Sequence, residues 1–154
     1  MEEFDFISPV DRPALLAISN PECLAQARGA LADMGFKVHN VDSHNHFNTR
    51  FNQVNYHVVI IEENFANSAP GENHSLRLVQ RMPMVQRRHA VFLLIGDQFE
   101  TLNNMQAFAQ SVHCVVNPSE MQLIGQLVQK TTADNDTFLA PYREAQHRLY
   151  TKVK

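Results

Sequence analysis

Two short apolar runs end in residues able to do chemistry. Tyr56 to Ile61 (YHVVII) leads straight into Glu62-Glu63-Asn64, and Val112 to Val116 (VHCVV) leads into Asn117-Pro118. In an open parallel α/β sheet, ligands and reacting groups gather just beyond the carboxyl ends of the strands. A pair of carboxylates there suggests acid–base work. Adjacent residues at a strand end point to opposite sides, however, so Glu62 and Glu63 are poorly placed to converge. His44-Asn45-His46 invites a metal reading among the eight histidines. Residues i and i+2 of a helix do not face each other, and Asp42 is the one further ligand type nearby, so no metal centre is expected. Ser75 beside His74 has neither a third triad member nor a nucleophile elbow. The five glycines include no GxGxxG or GxxxxGK spacing, which excludes those phosphate loops. Arg77, Arg81, Arg87 and Arg88 form one basic cluster, read as a solvated helix face.

The elements that must position these residues follow from apolar periodicity. Pro13 to Ile18 (PALLAI) reads as a strand buried on both faces. Asn20 then caps a helix that opens with Pro21, carries Leu24, Ala27, Leu31 and Met34 on one stripe, and ends at Gly35. Residues 36–41 alternate as an edge strand would. Ser43 caps a second helix carrying Phe47, Phe51 and Val54. The third strand is 56–61, followed by a turn-rich loop over 66–73 and a helix from Ser75 to Met82 that Pro83 ends. Ala90 to Ile95 (AVFLLI) is a central strand. A helix over 98–110, with Phe99, Leu102, Met105 and Ala109 on one face, precedes a fifth strand at 112–116. Ser119 to Gln122 offers a capping box for a helix running to Lys130. Thr131 to Asp136 (TTADND) reads as a polar break before a separate helix over 138–152, with Phe138, Tyr142, Ala145 and Leu149 at helical spacing. Repeated strand–helix alternation implies a parallel sheet with helices on both sides.

Composition narrows the function classes. The 154 residues suffice for one domain, and 44% hydrophobic against 19% charged residues is ordinary for a soluble globular chain. A net charge of −3 gives no electrostatic reason to expect nucleic acid or an anionic membrane as partner. No apolar run is long enough to span a bilayer, and the acidic N-terminus lacks the basic region of a signal peptide. Cys23 and Cys114 fall on buried elements and read as reduced thiols of a cytoplasmic protein.

The first unit (LLAISNPECLAQARGALADMGFKV), the third strand with Asn64, and Asn117-Pro118 carry a resemblance. Residues 12–130 resemble the receiver domain of bacterial response regulators, a CheY-like, flavodoxin-like fold. The resemblance implies a (βα)5 three-layer sandwich whose five-stranded parallel sheet has the order 2-1-3-4-5. It leaves residues 1–11 as an N-terminal tail and 131–154 as a C-terminal helical extension. A working receiver needs an acidic pair after strand one for Mg²⁺, an aspartate ending strand three to accept phosphate, a Ser or Thr ending strand four, and a lysine ending strand five. Here the acidic pair falls on Ile18-Ser19, or on Ser19-Asn20 with the register slipped by one. The acceptor falls on Glu62, the hydroxyl position on Ile95 or Gly96, the lysine on Asn117, and the rotating aromatic of strand five on Cys114. Pro118 is retained, with cis and trans bonds to Asn117 both open, and Gly71 sits near a loop glycine of the family.

These changes imply a degenerate pseudo-receiver: a cytoplasmic, non-enzymatic signalling module without cofactor or metal, acting on a protein partner or as a homodimer. The face expected to carry that contact includes Phe138, Tyr142 and Leu149. The alternative is a small-ligand sensor or degenerate flavodoxin-like enzyme using Ser19, Glu62, Gly96 and Asn117, a set without a nucleophile–base pair.

Overall fold

A strand that is apolar on both faces must be covered on both, and five such runs dictate the architecture. In the computed structural model the described residues are 11–69, 71–87 and 89–153. The expected tail over 1–11 therefore lies, apart from Asp11, outside them, as does Arg88. Strands β1 (Arg12–Ala17), β2 (Phe36–Asn40), β3 (Val58–Glu62), β4 (Val91–Ile95) and β5 (Cys114–Val116) form one parallel sheet in the order β2-β1-β3-β4-β5. This is the expected order 2-1-3-4-5. Side chains alternate between two cores. Leu16, Ile60 and Leu93 face Cys23, Ala27 and Leu31 of α1 (Pro21–Asp33) and Ile124 and Val128 of the last helix. Leu15, Val59, Ile61 and Phe92 face Phe47 of α2 (His44–Gln53), Leu76 and Val79 of α3 (His74–Arg81) and a short helix before β5.

Local signals account for most helix boundaries. Asn20 Oδ1 accepts the N–H of Glu22 at 2.9 Å and of Cys23 at 3.2 Å, and Ser43 Oγ accepts that of His46 at 3.1 Å. Gly35 takes a φ of +86° after α1, a conformation that spares only glycine a steric cost. Helix α3 is capped one residue earlier than the sequence suggests, by Asn73 Oδ1 accepting from Leu76 at 3.0 Å. Pro83 separates it from one turn, α4 (Met84–Arg87).

Three expectations are corrected. The helix expected over 98–110 is a turn followed by α5 (Asn104–Ala109) alone. Leu102 has a φ of +67°, which breaks the helical backbone, and Asn103 restarts it by accepting the N–H of Gln106. Of the expected apolar face only Phe99 is buried, from within the turn. The capping box at Ser119 is replaced by Asn117, whose Oδ1 accepts from Ser119 N at 3.0 Å and opens a 3₁₀ segment, Pro118–Leu123. The polar break at 131–136 does not exist: α6 runs unbroken from Ile124 to Val153, 30 residues with Pro141 inside it. Its polar residues meet partners both on β5 and within the helix itself. Thr131 lies beside the Cys114 thiol and Asn135 beside His113, both at the β5 edge. Lys130 and Asp134 pair at 2.6 Å, and Arg143 and Asp136 at 3.2 Å. The 130/131 division thus falls within one helix.

The inward residue of that helix is Leu139. Leu139 is 8% exposed, whereas Phe138 is 81% exposed. Leu139→Ala is expected to cost about 2 kcal/mol in chemical denaturation, and Phe138→Ala under about 0.5 kcal/mol.

Candidate functional site at the carboxyl strand ends

The chain brings the expected positions together and closes them on one another. Glu62 ends β3 opposite Ile95 and is 6% exposed. Its Oε1 accepts the backbone N–H of Ser19 at 2.8 Å and of Asn20 at 3.2 Å. A buried carboxylate is costly unless hydrogen-bonded, and these two donors supply that bonding. Ile18, the residue before them, is buried. Ser19 Oγ in turn accepts the N–H of Ala66 at 2.9 Å. This holds a 3₁₀ turn, Phe65–Asn67, in which Ala66 and Asn67 have φ of +55° and +61°. Asn64 begins that turn, exposed and without a side-chain capping bond.

Glu63 goes elsewhere. Its N–H donates to Ile95 O at 2.7 Å, and its carboxylate accepts from Gln98 Nε2 across the β4–α5 turn. The two carboxylates therefore serve different loops. Ile95 is fully buried, and a Cβ on Gly96 would lie 2.7 Å from two carbons of the Phe99 ring. A hydroxyl-bearing residue at Gly96 would have to displace that ring. Asn117 donates from Nδ2 to Phe99 O at 2.9 Å and Asp97 O at 3.2 Å, and its own N–H donates to Thr101 Oγ1 at 2.9 Å. Its amide rivets the turn over β4 to the end of β5, and the Asn117–Pro118 bond is trans. Cys114 is buried toward α6, and burial raises its thiol pKa. Cys23 is likewise buried, and burial together with the Glu62 charge raises its pKa. Both thiols are free.

Two residues that matter here had weak sequence signals. Asn73 is buried, and its Nδ2 donates to Glu62 O at 3.0 Å and Glu63 O at 3.1 Å while its Oδ1 caps α3. An Asn ahead of an amphipathic run is the signal that could have found it. His44 joins three elements. Its Nδ1 lies 2.8 Å from Ser75 Oγ and its Nε2 3.0 Å from Ser68 Oγ. Ser68 O–H donates to Phe65 O at 2.6 Å, so His44 Nε2–H donates to Ser68 and Nδ1 accepts from Ser75, including its N–H at 3.3 Å. Ser75 is thus partnered by His44 rather than His74, and it is buried. His46 pairs with Asp42 at 3.3 Å. Among the described residues no group of three or more His, Cys, Asp or Glu is arranged to hold a metal ion. No helix among them is long and apolar enough to cross a membrane.

Glu62→Ala, which strips two backbone donors of their acceptor, is expected to lower stability by about 1–3 kcal/mol in urea melts. Burial, and secondarily His74, lower the His44 pKa, so the folded state disfavours its proton. Burial lowers that of His113 in the same way. The unfolded chain then binds more protons below about pH 6.5. Stability is expected to be full above that pH and to fall as pH drops from there toward the lowered folded pKa values. His44→Gln should flatten the slope measured by melts between about pH 6.5 and 5.

The sequence matches no family model and none of the curated proteins. The fold does have close likenesses among solved structures. A putative response regulator from Chloroflexus aurantiacus superposes with a TM-score of 0.63 at 13% identity, covering 80% of this chain and 98% of the other. The chemotaxis response regulator CheY4 of Vibrio cholerae gives 0.60 at 13% identity, over 79% and 99%. An adenylate cyclase structure from Rhodopirellula baltica gives 0.64 at 15% identity, over 89% and 98%. With its strand order and its helices on both faces, the chain has the CheY-like fold of response-regulator receiver domains.

Proposed function

We propose that this chain is a non-catalytic pseudo-receiver, a signalling module that acts by contact with another protein chain and takes up no phosphoryl group. One observation carries the reading: the carboxylate at the acceptor position is buried and already bonded to the backbone of the loop that would have to supply metal ligands. Phosphoryl transfer works by positioning and charge neutralisation. Here Ile18, Ser19 and Asn20 bring no anionic ligand, Gly96 no hydroxyl and Asn117 no ammonium. The polar groups that a ligand sensor would use at this end are bonded to the chain itself, and the Phe99 ring fills the space above Gly96. The receiver fold, shared with proteins named as response regulators, supports a signalling role.

The contact surface is the outer part of α6. Phe138, Tyr142 and Leu149 remain 81%, 44% and 66% exposed, so much of this stripe stays open to solvent. A second copy or a different protein is its partner, and the chain works in the cytoplasm of a bacterium. Backbone amide spectra recorded with Mg²⁺ and beryllofluoride should show no shifts centred on Glu62 and Asn117; such shifts would refute the pseudo-receiver reading. Sedimentation and partner capture should both respond to Tyr142→Ser with Leu149→Ser, and indifference to that pair would remove α6 as the contact.

A further inference from the structure

The opposite, amino-terminal edge of the sheet holds a cavity that shares only Phe138 with the proposed α6 contact surface. It encloses about 680 Å³ between α5, the approach to β5 and the middle of α6. Pockets of about 300–1,000 Å³ suit small organic ligands. Its apolar lining includes Val112 and Leu139, both buried, and two phenylalanines, Phe108 and Phe138, that are 82% and 81% exposed. Such rings in water are held there at a cost that a bound apolar body would relieve.

The charge lining the cavity is one-sided. Lys130 and Asp134 satisfy each other at 2.6 Å. His113 Nδ1 accepts the N–H of Phe92 at 3.0 Å, and burial and the nearby Arg87 lower its pKa, disfavouring its charged form. That leaves the Arg87 guanidinium. It is half-buried, donates through Nη2 to Ser111 O, lies 5.8 Å over the Phe92 ring, and leaves Nε buried with no hydrogen-bond partner. Among the described residues no carboxylate forms an ion pair with it. A desolvated cation without a counter-ion is costly, and an anion entering the cavity would offset that cost.

We propose that this cavity binds a small organic anion with an apolar, aromatic-sized body, its anionic group toward Arg87 and its body between Phe108 and Phe138. A planar guanidinium suits a carboxylate or sulfonate through paired N–H donors. The site lies away from Glu62 and rests on none of the strand-end residues.

The probe is 1-anilinonaphthalene-8-sulfonate, with neutral N-phenyl-1-naphthylamine as the same body lacking the charge. The full chain should bind the sulfonate at one saturable site by fluorescence, with amide shifts at Val112, His113 and Leu139. Arg87→Gln should weaken binding about tenfold or more, the scale of one charge-assisted hydrogen bond, and the neutral probe should be weaker by a similar factor. Arg87→Lys should restore part of the affinity. Phe108→Ala, at an exposed position that leaves the fold intact, should also weaken it. Absence of saturable binding, or binding unchanged by both Arg87→Gln and Phe108→Ala, would overturn the proposal. Equal affinity for the two probes would overturn its anionic half. Because Tyr142 and Leu149 lie outside the cavity, their double substitution should leave probe binding intact, which separates this test from that of the α6 contact.

Discussion

The strand-end geometry depends on one carboxylate and two backbone N–H groups. Glu62 Oε1 receives Ser19 and Asn20, so the end of β3 and the start of α1 cannot move apart without exposing a buried charge to an unbonded interior. Each of those residues then holds a neighbour. Ser19 fixes the 65–67 turn through Ala66, and Asn20 starts α1. Asn73 reads the carbonyls of Glu62 and Glu63 and starts α3. His44 ties the same loop to α2 through Ser68 and Ser75. Three helices and a loop are therefore referenced to the end of β3.

That arrangement is what the proposed pseudo-receiver reading rests on. A receiver site must be open enough to admit a metal and a phosphoryl donor, and charged enough to hold them. Here Glu62 Oε1, Ser19 Oγ and the Asn117 amide are each bonded to groups of the same chain, and the Phe99 ring packs against Gly96. Bonds within the chain thus tie the carboxyl ends of β3 and β5 to their loops. Arg87 Nε, buried without a partner, lies toward the amino end.

Much of this was legible in the residues, for identifiable reasons. Runs such as VFLLI have one stable place, the middle of a parallel sheet, and Asn20 and Ser43 cap helices by short-range bonds written in the local sequence. The position of Glu62 could be read because it follows such a run. Its partners could not, since backbone N–H groups have no residue type to announce them. The failures share a cause. Leu102 adopts a left-handed conformation without the glycine that would signal it. TTADND looks like a linker because it is wholly polar apart from one alanine, yet Thr131 and Asn135 lie beside Cys114 and His113 at β5. Contacts between residues about 20 apart in sequence defeat any window that reads one helix at a time.

The unbroken α6 gives the molecule a lever arm. At about 1.5 Å per residue it is about 45 Å long, and the portion beyond Leu139 projects about 21 Å past its last buried leucine. Pro141 stands at the foot of that projection, where the helix lacks one backbone bond and bends most easily. A tilt of about 5° at this fulcrum would carry the tip about 2 Å, given that rise per residue. Small adjustments where Leu139 and Asn135 rest against β5 would thus arrive at the far end multiplied, as displacement of a surface another chain can touch.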